Sequence, residues 1–202
     1  MDFLDVVKQR RAVREYTQVP LTRLEVEALI AAATQAPSAM NLQPWAFAVV
    51  LDREQIESYA ARALKWLLAD KSRLPDTLRN KLAQRMQEDP NFTLFYHAPG
   101  LILVLARSSD PQSIADCCLA AENLMLAARD RELGTCWIGF SRPWLNLPEV
   151  KAELGLPPAY EVVAPVVIGH PVAWPHSHGR NPAEIHWITP VATTHPPLEV
   201  TV

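Results

Sequence analysis

Three guanidinium groups fall within five positions near the start of the chain: Arg10, Arg11 and Arg14 in "QRRAVREY" (9–16). The whole chain carries a formal net charge of −3, so a general affinity for polyanions does not account for them. The planar fork of arginine binds phosphate bidentately and keeps its charge at any physiological pH. The cluster therefore points to one compact anion. The competing account is a solvated cluster of charge at a helix end, which needs no ligand.

Other stretches that could do chemistry are read largely by exclusion. No GxGxxG occurs, which removes the dinucleotide fingerprint of Rossmann folds. "GTCWIGFS" (134–141) has the glycine spacing of a P-loop, but Phe140 stands where the phosphate-binding lysine must be. Neither a GxSxG elbow nor an HExxH helix is present. Cys117, Cys118 and Cys136 form neither a disulfide framework nor a CxxC pair. Cys136, beside Trp137 in a strand pattern, reads as a buried thiol serving as a small hydrophobe. His170, His176 and His178 lie in the proline-rich "HPVAWPHSHG", with Glu184 the nearby carboxylate, and read as a surface loop. No metal site is expected there. "APSAMNLQPWAF" (36–47) offers Ser38, Asn41 and Gln43, groups that orient a flat polar ligand rather than ionise. Read alone, it is a turn between a helix and a strand.

The elements that must position these residues follow from caps and periodicity. Asp2 caps a helix that ends near Arg10, with Phe3, Leu4 and Val7 on one face. Thr22 and Glu25 form a capping box for a helix whose stripe is Val26, Leu29, Ile30 and Ala33. A third helix spans 53–69, and a charged surface helix lies within 70–95. Ser113 is expected to cap a helix over 114–132, closed by Gly134. That helix is apolar nearly all round, which predicts burial on several sides. Strands are expected at 46–51, 101–106, 135–140 and 161–169, with a short helix near 148–154 ended by Gly155. This order lacks strict βαβ alternation and predicts an α+β fold with an antiparallel or mixed sheet.

A chain of 202 residues suits one domain, 1–202. The charge balance carries no nucleic-acid footprint, and no apolar run approaches the roughly 18 residues of a membrane span. The opening residues lack the order of a signal peptide, and cytoplasmic residence is the expectation. Eighteen prolines against six glycines concentrate in loops and in the last third, whose Ile185, Trp187, Ile188, Val191 and Leu198 predict packing, either on the rest of the chain or on a partner subunit.

Taken together, the chain resembles the nitroreductase family of FMN-dependent α+β oxidoreductases. The resemblance rests on "RRAVREY" (10–16), "APSAMNLQPWAF" (36–47), "HAPGLILVLA" (97–106), "AAENLMLAA" running into "LGTCWIGF" (120–140), and "IGHP…GRNPAEI" (168–185), in the family's order. It implies a three-layer fold with a central, mostly antiparallel sheet flanked by helices, in an intertwined homodimer. It implies FMN as cofactor, NAD(P)H as reductant and a small electrophilic acceptor such as a nitroaromatic or quinone, turned over by ping-pong hydride transfer. Relatives of this fold that dehydrogenate, dehalogenate or modify flavin, and a flavin-binding module without turnover, are the alternatives.

By the same resemblance, Arg10 and Arg11 face the ribityl phosphate, joined by His178 and Arg180. Arg14 lies at the pyrimidine edge, where a cation stabilises the charge the flavin gains on reduction. Pro37, Ser38, Ala39 and Asn41 reach the flavin from the second subunit, and the N–H groups of Ile138 and Gly139 lie near N5. No protein acid or base is required. Three departures stand out. Ala12 replaces a frequent serine, leaving only its backbone N–H for the phosphate. His178 stands where a basic residue is frequent, which implies a phosphate affinity that is either weaker or pH-dependent. Residues 65–96, which shape the substrate mouth in such enzymes, match nothing; Trp66, Phe92 and Tyr96 are either mouth or core. Residues 186–202 form the C-terminal arm.

Overall fold

The apolar runs pair into one four-stranded sheet in a computed structural model that describes residues 1–177 and 179–188. The strands are β1 (Trp45–Val50), β2 (Gly100–Ala106), β3 (Gly134–Trp137) and β4 (Glu161–Gly169). They are ordered β1-β2-β4-β3, and every neighbouring pair is antiparallel. β2 and β4 occupy the centre, which explains why their sequences are unbroken apolar runs rather than alternating ones. Along β2 the period of two sorts the side chains: Leu101, Leu103 and Leu105 enter one core, Ile102, Val104 and Ala106 the other.

Helices cover both faces, giving three layers. On one side α2 (Arg23–Ala33) packs with α5 (Pro111–Asp130) over Val104, Val166 and Ile168. On the other, α3 (Arg53–Leu68) packs Ile56, Tyr59 and Ala63 against Leu103 and Val167. The remaining helices are α1 (Phe3–Gln9), α4 (Asp76–Glu88), α6 (Arg142–Leu145) and α7 (Pro148–Glu153). The fold is α+β, as the sequence predicts. The Asp2 cap and the Thr22–Glu25 capping box are both formed.

Three expectations are corrected. α5 is capped by Asp110, whose carboxylate accepts the Ser113 N–H at 2.9 Å, with Pro111 preorganised just inside the helix. Gly134 does not close α5; Glu132 takes the left-handed turn at φ 55°, and Gly134 opens β3. β3 itself stops at Trp137 rather than running on to Phe140. Pro165 of β4 has no N–H to extend the ladder, so pairing ends with Ile138 donating its N–H to the Pro165 carbonyl at 2.8 Å. The chain then turns through the 3₁₀ segment Gly139–Ser141.

The outer edge of β3 is covered by the arginine segment. Ala12 bridges Thr135 in parallel sense, and Val13 donates its N–H to the Thr135 carbonyl at 2.9 Å. This approach requires the missing side chain of Gly134: a Cβ there would lie 2.8 Å from three side-chain atoms of Val13, which is fully buried. Gly134→Ala should therefore destabilise the fold by about 1–3 kcal/mol through overpacking. Denaturant unfolding measures it, and an unchanged midpoint would contradict the packing described.

Candidate functional site

Each arginine of the opening cluster meets a different environment. Arg11 turns back on α1, its Nη1 donating to the carbonyls of Lys8 and Arg10, both at 2.6 Å, and so closes the helix end. Arg10 points to α5, with its Nε 3.3 Å from a Glu122 carboxylate oxygen in a geometry that makes no hydrogen bond. The Nε atoms of Arg10 and Arg11 are both buried without a hydrogen-bond partner. Arg14 emerges on the other side of the Val13 pairing, its guanidinium 5.7 Å from the centre of the Tyr96 ring. Tyr16 locks this backbone by donating its buried hydroxyl to the Val13 carbonyl at 2.8 Å.

Arg14 stands at the lip of a cleft of about 590 Å³ whose floor is the end of β3 and the turn after it: Cys136, Ile138 and Gly139. Because the Ile138 N–H is spent on Pro165, of the two expected amides Gly139 alone has its N–H without a strand partner, as first residue of the turn. A side chain at Gly139 would meet nothing within 4 Å, so this backbone lies open. Burial pushes the Cys136 thiol up from its ordinary value, against the opposing pull of the Arg14 and Arg85 charges; it stays protonated at neutral pH.

The far wall comes from the unmatched segment: Arg73, Leu74, Pro75, Leu78, Leu94 and Tyr96 line it. Trp66 and Phe92 instead pack against the α3-side core. Sequence reasoning missed Arg73, Leu74 and Leu78, whose spacing reads as ordinary surface helix, and Arg142, which lines the cleft from α6. The one available signal was Tyr96, already singled out as an aromatic of that segment.

Residues 37–43 do not line this cleft. Their 3₁₀ turn, Ala39–Asn41, is tied to α5 by the Ala39 N–H on the buried Asp116 carboxylate at 3.1 Å. Ser38 Oγ accepts the Gln43 N–H at 3.0 Å, and Met40, Asn41 and Gln43 all take left-handed φ values of 48–56°. Arg180 is exposed and donates to the Gly179 carbonyl at 2.9 Å. His178 lies outside the described residues, as does the arm beyond Ile188. His170 sits 3.6 Å from Glu25 and His186 2.9 Å from Glu184; among the described residues no three potential ligands gather for a metal. Nor is any described helix long and apolar enough to cross a membrane.

Residues 7–170 match the sequence profile of the nitroreductase family. The chain belongs to that family. It is 29% identical over 196 residues to a 4-nitrobenzoate reductase of Pseudomonas putida, covering 84% of this chain and 85% of that one. It is 26% identical over 192 residues to an iodotyrosine deiodinase of Thermotoga neapolitana, covering 92% and 97%. A nitroreductase with bound FMN from Bacteroides fragilis superposes with a TM-score of 0.72 at 27% identity, over 95% of this chain and 99% of the other.

Within this nitroreductase fold, Asp116 anchors the 37–43 loop. Its carboxylate also accepts from Gln112 Nε2 at 2.9 Å, and the residue is 2% exposed. Asp116→Ala removes both bonds and should cost about 1–3 kcal/mol. The Ala39 amide should exchange with solvent faster in that variant. Unchanged stability and exchange would show that the loop is held by something else.

Proposed function

We propose that this chain is an FMN-dependent oxidoreductase of the nitroreductase type, working as a homodimer that takes reducing equivalents from NAD(P)H and delivers them to a nitroaromatic, quinone or similar electrophile. The observation that carries the reading is the docking of the arginine segment along β3, which sets Arg14 beside an open glycine turn in a cleft and leaves Arg10 and Arg11 at the neighbouring end of α1. When bound, FMN supplies the hydride carrier, in alternate half-reactions with reductant and acceptor.

The residues present fit that cofactor. A buried donor left without a partner costs about 1–3 kcal/mol, and Arg10 and Arg11 each have one, a cost that a phosphate would relieve. In this reading the Ala12 backbone N–H supplies the phosphate contact in place of the missing serine. Arg14 supplies positive charge at the pyrimidine edge, and the Gly139 N–H is free to donate to the ring. Arg180 joins from the tail. Val172 donates to the Glu15 carbonyl at 3.1 Å, and Trp174 stacks on Arg129 at 3.9 Å. Arg129 in turn bonds Gln9 at 2.8 Å. The tail is thus anchored beside the end of α1 only six residues before Arg180, a span of about 20 Å at full extension.

A second copy of the chain completes the site. Phe3, Leu4 and Val7 of α1 are exposed, as are Met40 (94%), Trp187 (85%) and Ile188 (96%). Apolar surface of this extent is what a partner covers. Pro37, Ser38, Ala39 and Asn41 then approach the flavin of the opposite protomer. The deiodinase likeness favours a second reading, reductive dehalogenation at the same site.

Anaerobic titration tests the proposal. The yellow protein should bleach on addition of NADH or NADPH and recover its colour with a nitroaromatic or quinone. Iodide release from an added iodophenol by the reduced protein, without reduction of a nitroaromatic, would decide for the second reading, and a flavin that neither nicotinamide bleaches would contradict the first. Arg10→Ala should weaken FMN binding about tenfold or more, the loss of a charge-assisted contact; unaltered affinity would remove Arg10 from the phosphate site.

A further inference from the structure

Helix α5 ends at a position that suits glycine and holds a glutamate. Glu132 follows its last turn with φ 55°, a left-handed conformation that a residue with a side chain adopts only at some cost. The helix end itself does not need that side chain, because the Arg131 and Leu133 N–H groups already bond the Ala127 and Ala128 carbonyls. The carboxylate is used elsewhere. One oxygen accepts from Arg129 Nη1 at 2.7 Å, the other from the indole Nε1 of Trp174 at 3.1 Å.

Arg129 is the centre of this cluster. It is 7% exposed, and a guanidinium cannot shed its charge on burial. Nη1 is held by Glu132, Nη2 donates to the Gln9 side chain at 2.8 Å, and the Trp174 ring centre lies 3.9 Å from the guanidinium carbon. Three segments far apart in the chain therefore meet on one buried cation: the end of α5, the last residue of α1, and the tail. Arg10 and Arg11 follow Gln9 directly, and Arg180 follows Trp174 by six residues. The cluster thus joins the two groups of arginines assigned to one phosphate.

We propose that Glu132, Arg129 and Trp174 form a latch that couples docking of the tail to binding of the flavin phosphate. Glu132 and Trp174 are positioning residues: they touch no flavin, but they hold the tail where Arg180 reaches the phosphate beside Arg10 and Arg11. Coupling of this kind is reciprocal, so the bound phosphate in turn holds the tail down. The inference rests on the FMN reading of the site.

The test compares the affinities of the intact chain for FMN and for riboflavin, which lacks the phosphate, in the wild type, Glu132→Gly and Trp174→Ala. Glycine suits the left-handed turn and removes only the carboxylate; Trp174→Ala leaves the Arg129–Glu132 pair in place. Each variant should bind FMN about fivefold or more weakly and riboflavin as the wild type does. Hydrogen exchange reads the other direction. The Val172 N–H, bonded to the Glu15 carbonyl, should exchange more slowly with FMN bound than with riboflavin, and both variants should lose that protection. FMN affinity that survives both substitutions, an equal loss for the two flavins, or Val172 exchange indifferent to FMN would overturn the proposal. A wild type without preference for FMN would defeat the phosphate reading itself, and the latch with it, before any variant is compared.

Discussion

The site depends on one close backbone approach, the seating of Val13 on Gly134. A strand edge such as that of β3 presents unpaired amides and carbonyls that must be covered. Here the cover is the segment that carries the arginines. Pairing through Ala12 and Val13 divides the cluster, sending Arg10 toward α5 and Arg14 toward the cleft. The same strand then ends because Pro165 cannot extend its ladder, and the open turn at Gly139 follows. The Arg14 cation and an accessible amide are therefore neighbours for reasons that lie in the sheet, not in the site.

A single copy of the chain leaves apolar surface exposed, and that surface is what the proposed dimer would cover. Its two cores are closed, yet α1 presents Phe3, Leu4 and Val7 outward while Val6 alone of that helix is buried. The loop after α2 is held in a left-handed conformation that non-glycine residues adopt only at some cost, and it keeps Met40 and Leu42 in water. In the dimeric reading these are features of one surface. Under the proposed function, that loop is the part of the surface that carries Ser38 and Asn41 toward the flavin of a second copy.

How much was legible in the sequence varied with the range of the interaction. Caps and periodic stripes are local, so α1, α2, α3 and all four strands were readable to within a few residues. The misassignment of Gly134 shows where local rules stop. A glycine after a helix suggests a C-cap, whereas this one is required by Val13, more than a hundred residues away in the chain. Ser113 is a different, local case: Asp110 already caps the helix three residues earlier and accepts the N–H of Ser113, which therefore lies inside the first turn. The family motifs marked the arginines and the glycine turn, but not the individual fates of Arg10, Arg11 and Arg14. Arg73 was invisible because nothing in "KSRLPDTL" separates a cleft wall from a solvated surface turn.

The central claim is that guanidinium groups at the β3 edge grip the phosphate of a flavin whose ring lies over the Gly139 turn. Comparing the affinities of the apoprotein for FMN and for riboflavin, which lacks the phosphate, tests it most directly. The account predicts that FMN binds at least about tenfold more tightly, with the gap shrinking as salt screens the charges. Equal affinity for the two flavins would contradict it.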